Sequence, residues 1–219
     1  MKLFPASTPS LLHLLLLAQL FVLSASRPAR CSLCSSFSPM IQSMDSLKRL
    51  SSTLHGLTDS ELSTVQTDKH RLKDLPTMQH TADHFNSIKL NESLSQLYLG
   101  IQAFKLHVDW LKAARENVSL PLSSQTAEGS RVQLLQLFNL TSAALQQMNQ
   151  ELPQPASPSL PVVSTSFDAV RYSAEISQRL QAFCDFSKRV LRTFQLAQCV
   201  EPGVNTDKCR VLWYFGSAH

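Results

Sequence analysis

The stretch Leu152-Pro-Gln-Pro-Ala-Ser-Pro-Ser-Leu-Pro-Val-Val-Ser-Thr-Ser-Phe167 decides how the helices of this chain can be connected. Its four prolines, from Pro153 to Pro161, exclude both a helix and a central strand. A chain near polyproline II rises ~3.1 Å per residue, so about 14 residues reach about 43 Å, the length of a long helix. The stretch therefore predicts a crossover between two parallel helices. A disordered linker to a separate C-terminal helix is the alternative.

Apolar residues recur at spacings of three and four in four segments, and no segment shows the sustained alternation that is typical of a strand. The segments run from Met40 to Val65, Leu94 to Leu111, Leu134 to Leu152 and Ile176 to Ala197. The predicted core positions are Met40, Met44, Leu47, Leu50, Leu54, Leu57, Leu62, Val65, Leu94, Leu97, Ile101, Phe104, Val108, Leu111, Leu134, Leu135, Phe138, Thr141, Leu145, Met148, Leu152, Ile176, Leu180, Phe183, Val190, Leu191, Phe194 and Ala197. The pattern predicts an all-α chain.

The connections between these segments indicate their directions. About 22 residues (His70 to Asn91) separate the first pair, about 12 (Arg115 to Thr126) the second and about 14 (Pro153 to Ser166) the third. Short connections join antiparallel neighbours, whereas long ones return along the bundle. The order long, short, long therefore predicts a four-helix bundle with up-up-down-down topology and two long crossover loops.

The N-terminus has the three parts of a secretory signal peptide. Lys2 supplies a positive charge, Leu11 to Leu23 form an apolar run, and Ser24-Ala25-Ser26 supplies small residues before the cleavage point. A signal anchor is the alternative, although the run is short and contains His13. No later stretch approaches the ~20 apolar residues of a membrane span. We expect a secreted, extracellular protein without membrane insertion, with a signal peptide at 1–26, a four-helix domain at 27–198 and a disulfide-tethered tail at 199–219.

Three N-glycosylation sequons agree with secretion. They are Asn91-Glu-Ser93, Asn117-Val-Ser119 and Asn139-Leu-Thr141. A single sequon arises easily by chance, whereas three in a secreted chain predict at least one N-linked glycan.

Secretion also makes disulfides the expected state of the cysteines. In the predicted bundle the start of the first helix and the end of the last share one pole. Four cysteines therefore gather there within disulfide reach, with their pairing left open: Cys31, Cys34, Cys199 and Cys209. Cys184 precedes Cys199 by 15 residues on one helix, a rise of about 22 Å, so it cannot join them. It is expected as a free thiol at the edge of the core or as an intermolecular link.

Composition and motifs argue against catalysis and nucleic-acid binding. The formal charge of +4 is small, and its basic residues are scattered rather than gathered in a stripe. Metalloprotease, nucleophile-elbow and phosphate-loop motifs are missing, so we expect no enzyme activity and no cofactor. His80 and His84 have the spacing of metal ligands, but without a third ligand we expect solvated loop side chains. His107, in the second helix, is expected at the boundary of the core.

Three stretches carry a resemblance to a known family. Lys73-Asp-Leu-Pro-Thr-Met78 lies in the first long connection, Phe104-Lys-Leu-His-Val-Asp-Trp-Leu-Lys-Ala-Ala114 in the second helix, and Glu151-Leu-Pro-Gln-Pro155 opens the proline-rich crossover. Together they resemble the long-chain helical cytokines of the interleukin-6 type, and within them the fish-type interleukin-11 branch, over residues 40–198. The cysteines and the tail from Cys199 have no counterpart that we can place in the mammalian member.

The resemblance implies a cytokine with three receptor surfaces. The first, formed by the end of the last helix and the first long loop, faces an alpha receptor and includes Arg189 with its neighbours Lys188 and Arg192. A helical wheel places Arg189 more than about 100° from the apolar stripe, so burial does not explain it. An ordinary solvated face is the alternative interpretation.

The third implied surface, at the start of the last helix, serves the assembly with the shared transducer glycoprotein 130. Phe167 stands where the family has an exposed tryptophan, and Ser166 is the candidate helix N-cap. Phe167 falls nearly opposite the lower apolar stripe, which favours contact with a partner; a core position is the alternative. The second surface, on the first and third helices, cannot be assigned residue by residue.

The expected function is that of a secreted cytokine, monomeric when free, which assembles cell-surface receptors. The alternative is a secreted amphipathic lipid- or surface-binding helical protein of the apolipoprotein type. Interchangeable helices that slide along lipid would not need one rigid crossover. A compact monomer that melts cooperatively without lipid would favour the cytokine.

Overall fold

Five α-helices form the regular structure of the residues that the computed structural model describes, and no strand occurs among them. The described residues are 29–65, 72–78, 89–120, 124–155 and 158–199. The helices are α1 (Ala29–Ser51), α2 (Asp59–Thr64), α3 (Leu90–Asn117), α4 (Ser124–Gln147) and α5 (Ser166–Cys199). The predicted signal peptide, His80, His84 and the tail beyond Cys199 lie outside the described residues.

The four long helices form a bundle in which α1 and α3 each pack against α4 and α5. Residue numbers rise along α1 from Cys34 to Lys48 while those of their partners fall along α5 from Cys199 to Asp185, so these helices are antiparallel. Contacts of α3 with α4, of α3 with α5 and of α1 with α4 follow the same falling order. Helices α1 and α3 are therefore parallel, as are α4 and α5. The predicted all-α, up-up-down-down four-helix bundle is confirmed.

The first apolar segment is not one helix, and the prediction of a continuous helix to Val65 is wrong. Helix α1 ends where the hydroxyls of residues 51–53 each donate to a backbone carbonyl three residues earlier, which competes with the helical hydrogen bonds. Gly56 then adopts a φ of +68°, which favours glycine. Thr58 opens α2 through a capping box with Glu61.

The predicted apolar stripes form the interior of the bundle, with a few exchanges. The predicted positions that are buried are Met40, Met44, Leu47, Leu54, Leu94, Leu97, Ile101, Phe104, Val108, Leu111, Leu134, Thr141, Leu145, Ile176, Leu180, Phe183, Val190, Leu191 and Phe194. Leu135 and Ala197 are exposed, and Leu137 is buried in α4 instead. Leu135 lies about 100° around the helix from Leu134, and in α4 only Leu134 of the two packs into the core.

The second crossover joins the parallel helices α4 and α5, as its prolines predicted. It also meets the first crossover, because the amide of Ser159 donates to the carboxylate of Asp74 over 2.7 Å. The N-cap of α5 is Thr165 rather than Ser166, since the Thr165 hydroxyl accepts from the amide of Asp168 over 3.1 Å. Ser166 is the first residue of the helix.

Candidate functional site

The C-terminal turns of α5 present an outward face that is basic and apolar. The apolar stripe of this helix points into the bundle, whereas Arg189 and Arg192 are exposed. Leu196 is 69% exposed and lies four residues after Arg192. Residues at these spacings share one face of a helix. Sequence reasoning missed Leu196, although the same wheel that placed Arg189 outside would have placed it there.

Two lysines near this end are turned toward the contact between α1 and α5. Lys188 binds Asp45, with 2.6 Å between Nζ and Oδ1, and Lys48 binds Asp185 over 2.7 Å. Lys188, expected on the receptor-facing surface, is thus engaged by α1. Among the described residues, no carboxylate pairs with the two exposed arginines. The uncompensated positive charge of this face therefore belongs to the arginines.

A groove of about 470 Å³ lies between α3 and α5, under the first crossover. Its lining is largely apolar and includes Met78, Leu94, Phe183, Phe186, Val190 and Phe194. Gly100 lets the two helices approach, because a Cβ there would lie 2.5 Å from the ring of Phe183. Phe186 lies one turn before Arg189, so the groove borders the arginine face.

A charged pair on α5, of which Glu175 is buried and Arg179 partly buried, holds the first crossover in place. Arg179 donates to the carbonyl of Leu72 over 2.6 Å and to the carbonyl of Leu75. Glu175 is buried, accepts the Leu72 amide over 3.1 Å and pairs with Arg179 over 3.1 Å, so its charge is compensated. Sequence reasoning missed this pair: its i, i+4 spacing is visible, but the backbone that it binds is distant in sequence.

The opposite end of α5 presents an aromatic side chain. Phe167 is 61% exposed, which agrees with the wheel and excludes a core position. The guanidinium carbon of Arg171 lies 5.5 Å from the centre of its ring, a cation–π distance. At 1.5 Å per residue, Phe167 and Arg189 are about 33 Å apart along the helix. The structure therefore does not bring them into one site but separates them into two surfaces.

Comparison with known families agrees with this bundle. A family model described as Interleukin 11 matches residues 28–198. The chain belongs to the interleukin 11 family. A search of curated proteins and a search of solved structures each return no match. The interleukin 11 family is a family of cytokines rather than of enzymes, and its members act on cell-surface receptors.

In this chain of the interleukin 11 family, a disulfide links the start of α1 to the end of α5. Cys34 and Cys199 are bridged, with their Cα atoms 5.8 Å apart, so the disulfide joins α1 to the last residue of α5. The side chain of Cys31 and all of Cys209 lie outside the described part. Cys184 is a free, buried thiol, as its height on the helix predicted, and its burial argues against an intermolecular link. Burial raises the pKa of this thiol and keeps it protonated.

His107 is fully buried, so the prediction of a boundary position is wrong. Its Nδ1 donates to the carbonyl of Ala103 over 2.7 Å, because a carbonyl can only accept. The neutral ring then leaves Nε2 unprotonated, and none of the described residues forms a hydrogen bond with this buried atom. Burial lowers the pKa of His107. His107 lies three residues after Phe104 and four before Leu111, both of which are buried. The sequence alone did not show that the first crossover covers this side of α3.

The three sequons differ in exposure. Asn117, the last residue of α3, and Asn139, in the middle of α4, are exposed, whereas Asn91 is half-buried in the first turn of α3. Within the described residues, no group of three or more His, Cys, Asp or Glu side chains is placed to hold a metal ion. The helices of the described part include none with the length and apolar character of a membrane span.

Proposed function

We propose that this chain is a secreted cytokine that assembles an interleukin-11-type alpha receptor with the shared transducer glycoprotein 130. One observation carries the proposal: Arg189 and Phe167 are exposed near opposite ends of one helix in a bundle of the interleukin 11 family. A separation of about 33 Å along that helix allows two receptor chains to bind without overlap.

The surface for the alpha receptor combines Arg189, Arg192 and the first crossover at residues 72–78. Arginine binds carboxylates through two parallel hydrogen bonds, so uncompensated arginines favour a partner with acidic side chains. Arg179 and Glu175 hold the crossover against α5, about 15 Å before Arg189 along the helix. The groove under the crossover offers an apolar concavity next to the charged contacts.

The surface for the transducer is centred on Phe167. Exposed aromatic residues that become buried in a complex are among the strongest contributors to binding. Arg171 lies over one side of the ring, which restrains the side chain before the partner arrives. The ordering cost on binding is then smaller.

Secretion is supported by the covalent chemistry of the chain. The Cys34–Cys199 disulfide is of the kind that persists in oxidising compartments. Two of the three sequon asparagines are exposed. The lipid-binding alternative requires the apolar stripes to separate, whereas they are buried against one another and the disulfide ties α1 to α5.

The first surface is tested by Arg189→Glu. We expect alpha-receptor affinity to fall at least about tenfold, or about 1.4 kcal/mol, because reversed charge meets an acidic partner. The helical circular dichroism and the melting temperature stay unchanged, since the side chain is exposed. Arg49→Glu is the matched control, because Arg49 is an exposed arginine on α1. Equal affinities for the two variants would remove Arg189 from the site.

The third surface is tested by Phe167→Ala. We expect normal alpha-receptor affinity and a normal melt, together with loss of transducer recruitment, so the variant competes with the wild type without signalling. Leu106→Ala, which truncates another partly exposed apolar residue, is the control and should signal normally. Full signalling by Phe167→Ala would show that this surface is misplaced.

A further inference from the structure

The outward face of α4 carries apolar side chains that neither of these two surfaces uses. Val132 is 53% exposed and Leu135 is 49% exposed. They lie three residues apart and therefore share one face of the helix. Contiguous exposed apolar surface favours association of a protein in solution, and the tendency rises with the area of the patch.

A glycosylation sequon lies on the same face. Asn139 follows Leu135 by one turn and Val132 by two, a rise of about 6 Å and about 10 Å. On a helical wheel Asn139 falls between them, about 40° from Leu135 and about 20° from Val132. Asn139 is itself exposed.

The tilt of side chains on a helix determines in which direction a glycan on Asn139 extends along α4. Each Cα–Cβ bond tilts toward the helix N-terminus, so a residue covers the surface over the turn that precedes it. For Asn139 that turn contains Leu135, with Val132 one turn further. A bulky group attached to this asparagine extends over both apolar side chains.

The other two sequons lack this arrangement. The turn before Asn117 presents the small side chain of Ala113 and the charged side chain of Glu116, both exposed. Asn91 is half-buried in the first turn of α3. Of the two exposed acceptor asparagines, Asn139 lies next to large exposed apolar residues and Asn117 does not.

We propose that an N-linked oligosaccharide on Asn139 covers the patch formed by Val132 and Leu135. The glycan prevents self-association through α4 and closes this face to protein partners. A receptor surface on α1 and α4 is then restricted to the α1 side of that pair.

The modification is a transfer from a lipid-pyrophosphate-linked oligosaccharide. The amide nitrogen of Asn139 loses one proton and bonds to the anomeric carbon of the first sugar, and the lipid pyrophosphate leaves. Thr141, the third sequon residue, is fully buried and donates its hydroxyl to the carbonyl of Leu137 over 2.7 Å. The folded helix therefore hides the sequon, and transfer precedes folding.

The test uses the full chain secreted from animal cells. Peptide mass analysis measures glycan occupancy at each asparagine. Sedimentation velocity and fluorescence of an apolar dye then compare wild type, Asn139→Gln and the matched control Asn117→Gln. We expect Asn139 to be occupied, and the Asn139→Gln variant to bind several-fold more dye and to self-associate with rising concentration. Asn117→Gln should behave as the wild type does.

Two further experiments test whether the effect comes from the glycan and from the apolar patch. Enzymatic removal of glycans from the folded protein should reproduce the Asn139→Gln behaviour, and adding Val132→Ser with Leu135→Ser should abolish it. The proposal is overturned if Asn139 is unoccupied or if the two glutamine variants behave alike. It is also overturned if Val132→Ser with Leu135→Ser lowers receptor binding of the glycosylated protein, because a protein partner then occupies the face.

Discussion

The two sides of α5 are built from different interactions. Toward α1 the helix carries one disulfide and two ion pairs. Toward α3 it carries two aromatic pairs, Phe104 with Phe183 at 5.1 Å and Trp110 with Tyr172 at 5.4 Å between ring centres. The α1 side is closed, whereas the α3 side holds the groove.

These two kinds of interaction have different roles: one defines how α5 is aligned with its neighbour, and the other stabilises the fold. Ion pairs and a disulfide require particular partners, so they favour one register of α1 against α5. Exposed ion pairs contribute little free energy, whereas buried aromatic side chains contribute much. On the α3 side the buried aromatic side chains therefore stabilise the packing, and Gly100 leaves the space that the ring of Phe183 occupies.

The largest expected effect is on the α3 side. Phe183→Ala should lower the free energy of unfolding by about 3–5 kcal/mol, because it removes a buried ring and leaves a cavity. Denaturant unfolding measures the change. Phe167→Ala, the same truncation at an exposed position, should change it by less than about 0.5 kcal/mol. Equal losses for the two variants would contradict the assignment of the core.

Removal of the disulfide should rank second and act on the α1 side. Cys34→Ser with Cys199→Ser should cost about 2–4 kcal/mol, because the unfolded chain gains freedom. The melting temperature should fall while the helical circular dichroism persists. Thiol titration of the native wild type should find Cys184 unreactive until the chain unfolds. A reactive Cys184 in the folded protein would contradict its burial.

Acid should weaken the α3 side through His107. Its folded-state pKa is lowered, so the unfolded chain binds the proton more strongly, and stability falls as pH drops below about 6.5. One proton gives a slope of at most about 1.4 kcal/mol per pH unit. The charged groups that influence His107 are Asp74, Glu175 and Arg179. Denaturant unfolding at several pH values should show a shallower slope for His107→Gln; an unchanged slope would assign the effect elsewhere.

The smallest effect should come from the ion pairs. Lys48 and Asp185 are 39% and 36% exposed, so Lys48→Met should change the free energy of unfolding by less than about 1 kcal/mol. Added salt should reduce even this difference. A loss as large as that of Phe183→Ala would contradict the ranking of this ion pair below the buried ring.

Much of the fold was predictable because it depends on local periodicity and connection length. The stripes of α3 and α5 marked their buried faces, and the prolines identified the crossover. Cys184 was excluded from the pole by helix rise alone. For the candidate site, the wheel placed Phe167 and Arg189 outside, but their receptor roles come from a resemblance and stay a prediction.

Other features depended on neighbours that a helical wheel does not contain. Leu134 and Leu135 are equally apolar, and only packing against α1 and α3 decided that Leu135 is exposed. His107 lies next to Val108 on α3, and its burial depends on the elements packed around that helix.

By itself, then, the sequence determined the helical class, the direction of each helix and the isolation of Cys184, because these follow from spacing along one chain. Tertiary structure decided which cysteines bridge, that Lys188 pairs with Asp45, and that Glu175 and Arg179 hold the first crossover. Each of these contacts joins residues more than 100 positions apart. The distance between such residues in space depends on how the helices pack, and a local sequence pattern does not contain that information.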